Sequence, residues 1–485
     1  MAYIDDTSSL IWHMSRKLFR RNMASLNLIE LDGSQSAPRT AEQLQAYVAA
    51  MLKDHPLYAA VPRPAPLGIG RTMLEPAVEP DLARHVEVRP VSGERKWSDA
   101  CRDLVDIAEE SLDEDRPPWR IILLTGLIDP PMPMKDAAAL IITADHAVLD
   151  GAAIVQFARQ LLPSEPSAEL SSAELPSAEL SRQAGAIAPP RPRPAASLPA
   201  ALADIPRRAR TIASSLLEAQ RAARHARSSL AALDPRPQTI LDASGFTHRV
   251  YDGFPMPLAH LTTIRQLAPG ATINDVALSV IAGAQRRYLE RFSTIPERPI
   301  HCAITVALQK HGHDRATGTS ELLGNEITGA IIPLDLQASD PRERLAAIAR
   351  ESRARKQAIR DGARVPIERA IRTLPPGLLT AASRLAPRSN GSPVNTSLAN
   401  VPRGPEPMYF ADAPVRVSFG LPLLNPGAHM SHHLTSLGDI AALGFIADAT
   451  SLAHPRDYLA MLRDSLDEHY RLAAGEQAAS RDRGR

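Results

Sequence analysis

The segment Asp145-His146-Ala147-Val148-Leu149-Asp150-Gly151 groups the side chains best suited to moving a proton. A neutral imidazole, with an ordinary pKa near ~6.5, can take a hydroxyl proton at neutral pH, and a loop closing an apolar strand can present it to a channel. His146 is therefore the candidate general base. Asp150, on the same tight loop, can lock the backbone without touching the proton being moved. The residues also admit a plainer reading, in which His146 is an ordinary loop histidine, Asp150 caps the next helix and Gly151 eases the turn. Spacing alone favours the plainer reading.

Other groups carry weaker signals. Asn274 and Asp275 open a helical stretch, where capping and a site role are both open. His432-His433, with His429 nearby, could suggest a metal cluster, but no carboxylate or thiol accompanies them at ligand spacing. Loop histidines fit better, and no metal is expected. Gly68-Ile69-Gly70-Arg71 lacks the spacing and strand-to-helix context of a phosphate cradle. Ile367 to Leu385 mixes Arg369, Arg372 and Arg384 with Ile371, Leu374, Leu378 and Leu379, so a lipid-touching segment and a partly buried surface segment both fit.

The elements that must position the loop follow from periodicity. Arg120 to Ile128 and Ala138 to Thr143 read as strands, separated by the Pro-rich loop Asp129 to Asp136. After Gly151, the spacing of Ile154, Val155, Ala158, Leu161 and Leu162 predicts a helix buried on one side. Leu44 to Lys53 and Trp97 to Leu112 read as helices upstream. From Pro163 to Pro206, Pro, Ala, Ser and Glu replace the patterned segments, and Ser-Ala-Glu-Leu recurs at Ser167, Ser172 and Ser177; this predicts a linker. Ile205 to Leu233, with Arg221 and Arg224, reads as a solvated connector helix, with a basic amphipathic membrane-surface helix as the alternative. A second mixed half follows, with strands His248 to Phe254, Cys302 to Leu308 and Ile327 to Leu334, and helices Ile273 to Arg291, Pro341 to Arg360 and Pro455 to Ala474. The expected organisation is a domain at 1–162, a linker at 163–206, a second domain at 207–474 and a disordered tail at 475–485.

Bulk composition narrows the function classes. Apolar residues at 44% supply sizeable cores, and 55 Lys plus Arg against 54 Asp plus Glu argue against a polyanion-binding chain, so nucleic acid is not an expected partner. Cys101 and Cys302 are the only cysteines, which excludes a disulfide framework or a thiolate metal site as a major feature. The opening residues lack the pattern of a signal peptide, and no apolar run approaches the ~20 residues that span a bilayer. Any membrane association is expected to be peripheral.

Four ordered blocks resemble the bacterial wax ester synthase/acyl-CoA:diacylglycerol acyltransferase family. Its motif is His-His-x-x-x-Asp-Gly, whose second His matches His146; Asp145 stands in place of the first. Upstream, Leu112-Asp113-Glu114-Asp115-Arg116-Pro117-Pro118-Trp119 is similar to the family's Leu-Asp-x-x-x-Pro-Leu-Trp, with Pro118 for Leu and Trp119 matched. Downstream, Ala271-Thr272-Ile273-Asn274-Asp275-Val276, followed by Gly283-Ala284 and Arg287-Tyr288-Leu289, is similar to the family's Asn-Asp helix. Ala399-Asn400-Val401-Pro402-Arg403-Gly404-Pro405 resembles Ser-Asn-Val-Pro-Gly-Pro, with Ala for Ser and an inserted Arg403. The resemblance covers nearly the whole chain outside the linker and tail.

The resemblance implies an α/β fold of two chloramphenicol acetyltransferase-like domains, each a mixed sheet with flanking helices, also shared with peptide-synthetase condensation domains. It implies a long-chain acyl group passing from acyl-CoA, a co-substrate, to diacylglycerol or a fatty alcohol. His146 would be the base, Asp150 would steady the loop through an ion pair, and Pro118, Trp119, Asn274, Asp275 and Asn400 would shape the site. No bound cofactor is implied, because the thioester already activates the acyl group. A cytoplasmic enzyme able to sit on a membrane or lipid-droplet surface is the expected setting. The departures at Asp145, Pro118 and Arg403 keep open an ester- or amide-forming relative that uses a carrier-protein thioester or a non-lipid acceptor. A catalytically silent lipid-surface or scaffold protein is the reading from another class.

Overall fold

A strand buried along its whole length must be covered on both faces. Ala137–Asp145 is such a strand, and the fold is arranged around it. The computed structural model describes residues 2–3, 12, 22–64, 72–76, 80–149, 151–167, 210, 236–242, 248–307, 327–360, 394–424 and 429–483. Asp150, most of the linker, all of the connector helix but Arg210, Gly68 to Arg71 and Ile367 to Leu385 lie outside the described residues.

The early strands are β1 (Ala2–Tyr3), β2 (Asn22–Glu30), β3 (Ala60–Arg63), β4 (Met73–Pro76), β5 (Val86–Pro90), β6 (Trp119–Leu127) and β7 (Ala137–Asp145). The later strands are β8 (Arg249–Pro257), β9 (Ile300–Ala307), β10 (Ile327–Leu334), β11 (Thr396–Asn400), β12 (Tyr409–Phe410), β13 (Ala413–Leu421), β14 (Met430–Leu437) and β15 (Ile440–Asp448). The helices are α1 (Ala41–Leu52), α2 (Leu82–His85), α3 (Trp97–Glu109), α4 (Gly151–Leu161), α5 (Leu258–Ile264), α6 (Ile273–Phe292), α7 (Pro341–Arg360) and α8 (Pro455–Arg483). Two six-stranded mixed sheets result, in the orders β12-β13-β2-β7-β6-β5 and β10-β9-β11-β14-β15-β8, beside a small sheet β1-β4-β3. The α/β architecture of mixed sheets with flanking helices is as expected.

Alternation along β7 divides its cover. Ala138, Leu140, Ile142 and Ala144 pack with residues of α1 and α4 on one face, while Ala139 and Ile141 pack on the other with α3 and with Tyr251, Ala442 and Ile446 of the second sheet. A third core joins the second sheet to α6, α7 and α8. The sheets are not confined to separate stretches of chain: β13 crosses back and pairs antiparallel with β2, placing Val417 opposite Leu28, Phe419 opposite Leu26 and Leu421 opposite Ala24. A strand from the later half thus completes the first sheet and ties the halves together.

Helix ends follow local chemistry. Thr40 and Thr272 cap α1 and α6 through capping boxes with Gln43 and Asp275. Helix α8 does not stop at Ala474 but runs to Arg483. Gly475 costs the helix ~1 kcal/mol relative to Ala, and the helix formers around it outweigh that. Contacts hold the extension: Gln477 donates to Gln266 Oε1 at 2.8 Å, and Arg342 pairs with Glu476.

Candidate active site

The apolar strand β7 delivers the motif. It ends at Asp145, a turn carries His146 to Val148, and α4 begins at Gly151. Asp145 is only 2% exposed. Its Oδ1 accepts from the Ala147 N–H at 2.9 Å, and its carbonyl accepts from Val148 and Leu149 at 3.0 and 3.2 Å. The carboxylate is therefore folded onto the turn that presents the half-buried His146.

The block before β6 lies directly behind this turn. The Asp145 N–H donates to the Pro118 carbonyl at 3.0 Å, and Trp119 pairs with Ala144 across the ladder. Trp119 is fully buried, and its indole N–H donates to the Leu57 carbonyl at 3.0 Å. His85 packs tilted against it, with ring centroids 4.7 Å apart and Nδ1 2.8 Å from the Trp119 carbonyl. Burial pushes the His85 pKa down.

The downstream blocks also meet, far from one another in sequence. Asn400, at the end of β11, donates to Asn274 Oδ1 at 2.5 Å. Asp275 is buried and serves as a cap, its Oδ2 accepting from the Thr272 N–H and hydroxyl at 2.8 and 2.7 Å. The loop after Asn400 is fastened to the motif helix by Arg159 of α4. Its guanidinium donates to the carbonyls of Arg403 at 2.7 and 2.9 Å, Glu406 at 2.8 Å and Pro407 at 3.2 Å. Gly404 sits at φ +105°, and a Cβ there would lie 3.1 Å from Arg159 Nη2, so glycine suits both the backbone and the staple.

His432 and His433 are not loop histidines. They lie inside β14, 0% and 2% exposed, because partners distant in sequence bury a strand whose own pattern is largely polar. His432 Nδ1 lies 3.1 Å from Thr396 Oγ1 and its Nε2 lies 2.7 Å from the Tyr458 hydroxyl. His433 Nε2 lies 3.3 Å from the Tyr251 hydroxyl. Desolvation holds both imidazoles far below the usual value, to about 3, with His432 and Arg403 adding to the effect on His433. Among the described residues no group of three or more His, Cys, Asp or Glu could hold a metal ion. No residue pattern pointed to Arg159, an ordinary helical arginine, or to His85; Arg403 stood out only as an insertion.

Two mixed sheets joined by a crossing strand, with a histidine turn at the end of a buried central strand, are a fold shared with condensation-domain structures. Family models of the wax ester synthase/diacylglycerol acyltransferase catalytic domain and of the C-terminal domain of that family match residues 7–277 and 323–469. The chain belongs to the wax ester synthase/diacylglycerol acyltransferase family. One Mycobacterium tuberculosis protein, to which a diacylglycerol O-acyltransferase name has been assigned, is 27% identical over 424 residues, covering 84% of each chain. A second from the same organism is 28% identical over 216 residues, 44% of this chain; that match spans about half, 46%, of the relative. The wax ester synthase/diacylglycerol acyltransferase from Marinobacter aquaeolei aligns with a TM-score of 0.63 at 18% identity, over 98% of this chain and 100% of that one. A trichothecene 15-O-acetyltransferase from Fusarium sporotrichioides aligns at 0.60 and 11% identity, over 96% and 94%. These structural likenesses show the fold.

Proposed function

We propose that the protein transfers a long-chain acyl group from acyl-CoA to diacylglycerol or a fatty alcohol, with His146 as general base. The observation that carries this reading is family membership in both halves of the chain, together with a half-buried histidine on the turn that closes a buried strand. In this mechanism the imidazole takes the hydroxyl proton as the oxygen attacks the thioester carbonyl. The tetrahedral intermediate collapses, the C–S bond breaks, and the CoA sulfur leaves with the proton returned by the imidazolium. Ester and free CoA are the products, and atoms and charge balance without a metal or redox group.

Asp145 holds the turn through the Ala147 N–H, and Asp150 is assigned the loop-steadying role. Pro118 and Trp119 back the turn through the Pro118 carbonyl and the Trp119–Ala144 pair, and Asn274, Asp275 and Asn400 are assigned the shaping of the site. The units 1–162 and 207–474, joined at 163–206, are our reading of the covalent organisation. Among the described residues no helix is long and apolar enough to cross a membrane, and we assign lipid access to peripheral contact with a membrane or droplet surface. The test is a panel of acyl-CoAs offered with diacylglycerol, fatty alcohols and small polar alcohols or amines, following CoA release and product mass. Ester formation on the lipid acceptors supports the reading, and acyl transfer only to small polar acceptors overturns it.

A further inference from the structure

A guanidinium keeps its charge at neutral pH and carries five N–H donors, so burying one is costly unless acceptors and an opposite charge accompany it. Elsewhere this fold supplies them. Arg236 pairs with Asp242 at 2.5 Å. The buried Arg344 donates to the carbonyls of Ser279, Ala338 and Ser339, and although its Nη2 makes no hydrogen bond, Glu468 Oε2 lies 3.9 Å from it and supplies the opposite charge.

Arg403 is treated differently. It is 4% exposed, its Nε donates to the neutral Ser418 hydroxyl at 2.9 Å, and its Nη1 is closed off from solvent without an acceptor. No carboxylate lies within ion-pair distance of it among the described residues. The ionisable side chains that face it are Tyr251 and His433, and neither supplies a negative charge at neutral pH. Burial pulls the guanidinium pKa down to about 10. His433, whose Nε2 is held near the Tyr251 hydroxyl, has a second unsatisfied atom, Nδ1. With Tyr251 donating to Nε2, that Nδ1 carries a hydrogen and becomes a donor.

The position connects this group to the proposed reaction. The Arg403 carbonyl is held by Arg159 of α4, the helix that begins at the motif glycine. Its N–H donates to the Ser436 carbonyl at 2.7 Å, and the neighbouring Val401 N–H donates to Leu434, both in β14. Its side chain reaches Ser418 in β13, the strand that crosses between the halves. The unpaired cation thus sits in the seam between the two sheets.

We propose that Arg403, with His433 beside it, is a binding site for an anionic group, a carboxylate or phosphate ester, carried on an otherwise apolar substrate chain. Assigning this ligand to the substrate rests on the acyl-transfer reading; the binding site itself does not. An unsubstituted alkyl chain offers the guanidinium nothing, whereas a chain bearing an acid supplies both the missing acceptor and the missing charge. The site selects substrates and is separate from the proton transfer at His146.

Calorimetric binding of laurate, lauryl phosphate and lauryl alcohol to the full-length protein tests this. Wild type is expected to bind at least one of the anions about tenfold or more tightly than the alcohol, and the favoured anion identifies the ligand as carboxylate or phosphate. Arg403→Gln should remove the preference and leave alcohol affinity unchanged. Removing an uncompensated buried charge should not lower the melting temperature; if the glutamine variant fails to fold, Arg403→Met provides the same comparison. His146→Ala should retain the anion preference, so a failure of the general-base reading leaves this result distinguishable. Equal wild-type affinities for all three probes, or a preference that survives loss of the guanidinium, overturns the proposal.

Discussion

Strands β7 and β14 each carry histidine into the interior, with opposite chemical consequences. On β7 the histidine comes after the last ladder residue, on a turn held by the Asp145 carboxylate, and stays half-buried. On β14 both histidines lie within the ladder, sealed by Thr396, Tyr458 and Tyr251, and desolvation keeps them neutral. A base must gain and lose a proton at working pH, and an imidazole titrating near 3 cannot do so. Displacement by one residue past the end of a strand separates the half-buried histidine that our reading makes the base from two histidines that burial keeps neutral.

The packed side of this contrast should break most severely. His433 lies across the ladder from Gly444, and a Cβ on Gly444 would come within 2.3 Å of His433 Cε1 and 2.6 Å of the Asp252 carbonyl. Gly444→Ala should cost ~3 kcal/mol or more, or prevent folding, because backbone as well as ring must move. Denaturant unfolding measures it, and a wild-type midpoint would show that β14 is loosely packed. Arg159→Met should cost about 1 to 3 kcal/mol by leaving the carbonyls of Arg403, Glu406 and Pro407 without their donor. It should also lower turnover, since the motif helix loses its tie to the loop. Unchanged melting and rate together would remove that role.

Acid should expose the same difference more gently. His432 and His433 titrate at about 3 when folded and near ~6.5 when unfolded. The unfolded chain therefore binds more protons between those values. Their contribution is fully present above pH ~6.5 and is lost as pH falls towards the folded value, at up to ~1.4 kcal/mol per pH unit for each histidine. Melting temperature should fall from pH 7 to pH 5 in wild type and fall less in His433→Gln. Parallel curves would mean that His433 is not held neutral by burial.

How far these features were legible depends on how local their causes are. Ile327–Leu334 and Pro341–Arg360 are the strand and helix their periodicity predicts. The approach of Asn400 to Asn274 was foreshadowed by the family blocks but not by any local pattern. Met-Ser-His-His-Leu-Thr-Ser-Leu reads as loop because its apolar cover comes from other strands and α8, and the return of β13 to the first sheet is likewise non-local. The motif stood out only through the order of the family blocks, since its spacing alone favours a plain loop histidine, while the capping of its turn by Asp145 required the backbone.

The smallest effect is expected at that residue. In Asp145→Asn the amide oxygen can still accept from the Ala147 N–H, so the turn should hold with little change in stability. Losing the negative charge removes support for the imidazolium, and the rising limb of rate against pH should move to lower pH by less than about one unit. Superimposable profiles would leave Asp145 a structural role alone.

The contrast between the strands is tested most directly by measuring kcat/KM and melting temperature on His146→Ala and His432→Ala side by side. His146→Ala should lose at least ~100-fold in kcat/KM and melt within about 2 °C of wild type, as a half-buried turn residue contributes little packing. His432→Ala should melt several degrees lower, while its folded fraction turns over at close to the wild-type rate. Wild-type turnover by His146→Ala would contradict the assignment of the base.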